Sequence, residues 1–238
     1  MLFYNKVFYN KVEVLSPETH ADLRFDPLPD LGFARGATSV PLLAEEFAAA
    51  CVRFPIVFAR GTSESDGADG EVMAHALLSL GSDGNRFIGD NGQWTAPYMP
   101  AYIRRYPFVL ANLPEDRFAV AFDPECGGFG TEKGDRLYED GKPSAFLDKE
   151  INFLRKVHHG HHRTLEAIRI MQSEELLRPI DINIDRAGNR STVRNLMAID
   201  EEKLRQIPAD KAGEWVANGL MLTMYAQLIS MKNLETLV

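Results

Sequence analysis

The stretch SAFLDKEINFLRKVHHGHHRTLEAIRIMQSEELL, residues 144–177, decides the fold. On a wheel of about 100° per residue, Phe146, Leu147, Leu154, Val157, Leu165 and Ile168 share one face. That spacing predicts one long amphipathic helix. The cluster KVHHGHH sits in its middle. The wheel separates its histidines: His161 lies inside the apolar face, His158 and His162 lie near one edge, and His159 points the opposite way. His158 and His162 stand one turn apart, within reach of one metal ion, and Glu166 continues the row. Two imidazoles and a carboxylate suit zinc or iron(II). The HExxH signature is absent, because His159 follows His158. The expectation is therefore no cofactor, with a divalent metal at His158, His162 and Glu166 as the alternative. Gly160 costs about 1 kcal/mol of helix stability relative to Ala, so it marks a kink or a close packing contact.

Upstream of the helix, PIVFAR, EVMAHALLSL, NRFIG, PFVLANL and RFAVAFD read as extended runs by their β-branched and aromatic content. The short connections GDNG (89–92) and PEDR (114–117) predict antiparallel pairing. PLLAEEFAAACVRF (41–54) has helical spacing and stops at Pro55. PAYIRRY (100–106) suits a short helix with Pro first. GTSESDGADGE (61–71) and CGGFGTEKGDRLYEDGKPS (126–144) read as loops. Downstream, PIDINID and RSTVRNLMAID predict a hairpin around RAGN, with Asp181, Asn183 and Asp185 on its solvent face. Asp200 caps EEKLRQI. EWVANGLMLTMYAQLISMKNLETL (214–237) reads as a closing apolar helix, buried against the sheet or a partner. The sum is an α+β fold, an antiparallel sheet in the N-terminal half packed with a long helix, a hairpin and a C-terminal helix. The chain reads as a single domain, 1–238, divisible into a sheet-rich part (1–143) and a helix-rich part (144–238).

Composition narrows the function. Hydrophobic residues at 45% and charged residues at 25% are the balance of a globular chain. The formal net charge of -8 repels phosphate backbones and argues against nucleic acid as a partner. There is no apolar run long enough to span a membrane. The opening MLFYNKVFYNKVEV lacks a basic leader followed by an unbroken apolar run, so the expected location is cytoplasmic. Its repeat of FYNKV at 3–7 and 8–12 reads as a local duplication. Cys51 and Cys126 match no metal or redox spacing. Cys51 reads as a buried thiol and Cys126 as a surface cysteine. No G-x-S-x-G or comparable nucleophile motif is present, so the first reading is a non-catalytic protein, with a metal-dependent enzyme using His158, His162 and Glu166 as the alternative.

The richest binding signal is the aromatic block around PAYIRRYPF. Trp94, Tyr98, Tyr102 and Tyr106, with Arg104 and Arg105, are the residue types of a protein interface.

The order of segments adds a family expectation. MLFYNKV, SVPLLAEEF, FPIVFA, LLSLGSDGNRFIGDNGQW, YMPAYIRRYPFVLA, FLDKEINFL, IDEEKLRQIP and MYAQLISMKNLETL together resemble the SapC family of S-layer-related bacterial proteins. The resemblance covers nearly the whole chain, and NRFIGDNGQW to RRYPFVL is its most specific part. It implies a non-catalytic accessory or adaptor protein, associated with surface-layer protein export or with bacterial surface and uptake systems. Its partner would be another protein of that surface, and the apolar C-terminal helix offers a route to a homo-oligomer. No catalytic residue is carried over. The chain departs from the family pattern at the FYNKV duplication, at GTSESDGADGE, and at the histidine cluster, where the family favours Gln, Glu and Arg.

Overall fold

The computed structural model describes residues 8–61, 70–81, 83–112, 118–186 and 189–237. The first FYNKV copy, the PEDR connection and most of GTSESDGADGE lie outside the described residues.

In chain order the strands are β1 (Glu13–Val14), β2 (Arg24–Phe25), β3 (Ser39–Pro41), β4 (Ile56–Arg60), β5 (Val72–Leu77), β6 (Phe108–Asn112), β7 (Phe118–Phe122), β8 (Phe129–Gly130), β9 (Asp135–Arg136), β10 (Tyr138–Glu139), β11 (Lys142–Pro143), β12 (Leu177–Arg186) and β13 (Asn189–Ile199). The helices are α1 (Phe47–Ala50), α2 (Ala101–Arg104), α3 (Ala145–Ser173), α4 (Glu201–Leu204), α5 (Ala209–Ala217) and α6 (Leu220–Ser230). The α+β expectation holds, and the strands are antiparallel throughout the pairings described. The chain folds as two compact units. The first comprises Met1–Ala37, Ile88–Thr95 and Ala101–His159, and the second Thr38–Phe87, Ala96–Pro100 and Gly160–Val238.

Helix α3 starts where the sequence places it. Ser144 precedes it and accepts the Leu147 N–H on its hydroxyl at 3.2 Å, the pattern of an N-cap. It ends earlier than the expected 177. Glu175 takes a left-handed backbone (φ 53°), and the Leu176 N–H reaches back to the Met171 carbonyl at 2.8 Å, which closes the last turn. The wheel holds at most positions: Leu147, Leu154, Val157, His161, Leu165 and Ile168 are buried, Phe146 is half-buried, and His159 is exposed.

In the first unit, β6 pairs with β7 from Phe108↔Phe122 to Asn112↔Phe118, and β1 adds to β7. Phe25, Phe108, Phe122, Leu137, Leu147 and Leu154 form its core. The segment 126–144, expected as a loop, is instead pinned by short ladders: β8 and β9 flank β2, and β10 pairs with β11. Glycine makes this close approach feasible. At Gly134 (φ 86°) a Cβ would lie 2.2 Å from the Phe25 carbonyl oxygen. The cysteine expectations are reversed. Cys126 is buried in this core, at 5% exposure, while Cys51 is only half-buried. Cys51 caps the C-terminal end of the short helix α1, whereas the Gly-rich segment folds Cys126 inward.

In the second unit the sheet order is β12-β13-β4-β5-β3. The predicted hairpin therefore extends the sheet rather than packing on it. Arg194 and Asn195 (φ 62°) stand against Asp181 alone at the register shift between Ile180 and Ile182, the two-against-one count of a bulge. The helix expected over 41–54 shortens to a 3-10 turn, Ala44–Glu46, followed by α1. The closing helix divides at Gly219 (φ 84°), where the Asn218 side chain accepts the Leu220 N–H at 3.0 Å. No described helix is long and apolar enough to cross a membrane.

Candidate functional site

The aromatic block divides between surface and interior. In the first unit, α2 runs over Ala101–Arg104 and the chain then turns through Arg105 and Tyr106, with the Phe108 N–H on the Arg105 carbonyl at 2.8 Å. This geometry turns two of the expected binding residues inward. Tyr102 is 4% exposed and Arg105 is 5% exposed, with the guanidinium 4.1 Å from the Tyr102 ring centroid. Arg104 is exposed and lies over Phe153 at 5.1 Å. Trp94 is half-buried, in a bridge with Ile88. Tyr106 is half-buried and stacks on Phe33 at 4.0 Å. In the second unit, the Tyr98 hydroxyl donates to Glu46 Oε1 at 2.5 Å, and Glu46 Oε2 accepts the Leu43 N–H at 2.8 Å.

Around Arg105 and Tyr106 lies a polar cluster that the sequence does not announce. Asp123 is fully buried. Its carboxyl accepts the Asn10 N–H at 2.9 Å, the Glu125 N–H at 3.0 Å and the Tyr106 hydroxyl at 3.3 Å. The Tyr9 hydroxyl donates to the Phe108 carbonyl at 3.0 Å. Burial pushes the Tyr9 phenol up to about 12, against the lowering effect of Arg105. Burial also raises Tyr106, helped by Cys126 and Asp123. The Cys126 thiol is raised chiefly by burial. At neutral pH the cluster therefore holds neutral phenols and a protonated thiol. It pins the segment at Asn10 and the turn at Glu125 to the end of β7. In the sequence, an Asp closing a strand before Pro124 carries the signal of any turn.

The four clustered histidines do not share one environment: His161 is buried, His158 half-buried, and His159 and His162 exposed. His158 packs edge-on against Phe118, with ring centroids 4.7 Å apart. His162 and Glu166 are exposed. Among the described residues no three His, Cys, Asp or Glu side chains come together as a group able to hold a metal ion. Gly160 marks a close contact. A Cβ there would lie 2.8 Å from Glu45 Oε1 and 3.0 Å from Leu43 Cδ1. The Thr164 hydroxyl ties the same approach: it donates to the Gly160 carbonyl at 2.7 Å and accepts the Ala44 N–H at 2.8 Å. Glu45 forms an ion pair with Arg163 above it.

Beside this contact the second unit opens a groove of about 420 Å³, whose apolar lining includes Ala48, Ala167, Ile170 and Leu222 and whose rim carries Arg163 and Glu166. Helix α6 forms part of its wall. Leu220, Met224 and Gln227 on one side of α6 are buried. The other side carries Leu222, Tyr225 and Ile229, exposed to 62%, 39% and 58%. These three recur at helical spacing, so they make a continuous stripe.

The fold and the surface describe an α+β protein with an apolar helical stripe and no assembled metal group among the described residues. The family model for SapC matches residues 15–237, nearly the whole chain. The chain belongs to the SapC family. No curated protein and no solved structure matches it.

Proposed function

We propose that this chain is a cytoplasmic, non-catalytic accessory protein that binds another protein, associated with surface-layer protein export or with a bacterial surface and uptake system. The observation that carries the reading is the exposed stripe Leu222, Tyr225 and Ile229 on α6. Apolar side chains repeated along one exposed helix face lose hydrated surface only when something covers them. The groove lined by Ile170 and Leu222 continues that surface. Tyr102 and Arg105 are buried, so this reading gives them a supporting role and takes Arg104 and the half-buried Trp94, Tyr98 and Tyr106 as contributors on the aromatic block.

The test is capture of purified surface-layer protein by the immobilised chain. Leu222→Ser combined with Ile229→Ser should leave the circular dichroism spectrum unchanged and reduce capture roughly tenfold, a loss of about 1.4 kcal/mol. Undiminished capture refutes the stripe as the binding surface. Light scattering on the same two proteins separates a second copy from a different partner: a dimer that the double variant dissolves assigns the stripe to self-association.

A further inference from the structure

The strand order leaves β12 at one edge of the second unit's sheet. It runs ten residues, Leu177–Arg186, and pairs with β13 along its length. In an antiparallel ladder alternate residues turn their N–H and C=O groups away from the neighbour. Edge strand β12 therefore presents a row of such groups over roughly 30 Å. Among the described residues no strand pairs with that side. Natural sheets shield such edges with proline, charge or a covering element. Pro179 removes one donor near the start of β12, and the remainder keeps its donors.

A groove of about 570 Å³ runs beside this edge. Every residue from Arg178 to Asn183 lines it. Consecutive residues point to opposite faces of a strand, so the groove meets the backbone edge and not one face alone. Its apolar side is made by Leu80, Ile180, Ile182, Met231 and Leu234. Two of its carboxylates, Asp181 and Glu235, form no ion pair among the described residues, whereas the neighbouring Asp185 is held by Arg190 at 3.1 Å. The arrangement combines what strand addition needs: an open ladder, an apolar groove beside it and two carboxylates against the groove's one cation among the described residues, Arg178.

We propose that β12 is a docking edge that takes an extended segment of a partner protein as an added strand, with apolar residues alternating with Lys or Arg that reach Asp181 and Glu235. A second copy of this chain fits less well. Of the antiparallel self-pairings centred on residues 180 to 183, the two centred on Asp181 and Asn183 set Asp181 opposite Asp181 or Asp185 of the copy, and like charges directly opposite destabilise a pair; the two centred on Ile180 and Ile182 set it opposite Pro179 or Asn183 and gain no charge pairing. The inference rests on the reading of this chain as a protein-binding module, but it uses a different surface from the α6 stripe.

The test uses the full chain and a short, end-blocked, fluorescent peptide in which Val alternates with Lys, followed by anisotropy. Replacing each Lys by Glu should weaken binding roughly tenfold, and methylating alternate peptide amides should abolish it. Asp181→Lys, an exposed position whose spectrum should match the wild type, should weaken the Lys peptide and favour the Glu peptide. Backbone amides of 177–186 should exchange more slowly in the complex. Equal binding of the Lys and Glu peptides, undiminished binding of the methylated peptide, or no binding at about 1 mM peptide overturns the proposal. The Leu222→Ser, Ile229→Ser variant should bind the peptide normally. Peptide failure therefore leaves the α6 reading standing, and loss of surface-layer capture by that variant leaves β12 untouched.

Discussion

His75 gives the sharpest test of the second unit's packing. It sits on β5 between Pro41 of β3 and Val57 of β4. Its Nδ1 is buried and has no hydrogen-bond partner among the described residues. Burial lowers its pKa from 6.5 to about 4, because a charged imidazole there loses water and gains no partner. The folded state therefore keeps His75 neutral where the unfolded chain takes up a proton. The unfolded state binds more protons between the two values, so stability rises with pH across that window. The contribution is fully present above 6.5 and is lost as pH falls toward 4. Linkage over this shift gives a loss of about 2 kcal/mol between pH 7 and pH 5. Urea unfolding at both pH values measures it, on the wild type and on His75→Leu. Carboxylate titration affects both proteins and cancels in the comparison. The wild type should lose about 2 kcal/mol more than the variant, a midpoint difference of roughly 1 M urea for a chain of this size. Equal pH dependence in the two proteins refutes an imidazole held neutral by the burial of its Nδ1.

Three further outcomes follow from the same geometry. Asp123→Ala strands the Asn10 and Glu125 N–H groups and the Tyr106 hydroxyl, and should cost about 3 kcal/mol in chemical denaturation. A loss under 1 kcal/mol shows that the cluster does not tie those segments together. Gly160→Leu drives a side chain into Leu43 and Glu45 and should destabilise by more than about 2 kcal/mol. Gly160→Ala should stay within about 1 kcal/mol of the wild type, since helix propensity offsets a contact with two flexible side-chain ends. In the native chain a thiol reagent should label Cys51 and spare Cys126, which is buried and has its thiol raised by burial. Labelling of both cysteines without denaturant contradicts the packing of segment 126–144.

What was legible in the sequence was the part governed by local period and local chemistry. The apolar positions of 144–177 recur at helical spacing, and that period alone separates buried His161 from exposed His159. The alternation of Ile180, Ile182 and Ile184 with Asp181, Asn183 and Asp185 likewise fixes which face of β12 meets solvent. Asp200 caps α4 as its position before EEKL predicts, accepting the Lys203 N–H at 3.1 Å. The segment order that resembles SapC is also local information, and it agrees with the family match over 15–237.

The tertiary structure decided whatever depends on contacts between distant segments. Arg105 and Tyr102 have the composition of a binding surface, yet the turn after α2 carries both inward. Asp123 gains its role from Asn10, far away in sequence. Gly160 looks like a weakness in a helix until Leu43 and Glu45 arrive against it. The loop-like 126–144 becomes a set of ladders only because β2 lies between β8 and β9. β12 becomes an open edge only because β13 takes β4 as its other neighbour. Period and propensity report what one segment prefers by itself. Burial, strand order and the partners of a buried polar group are properties of pairs of segments, and no single stretch of the chain encodes them.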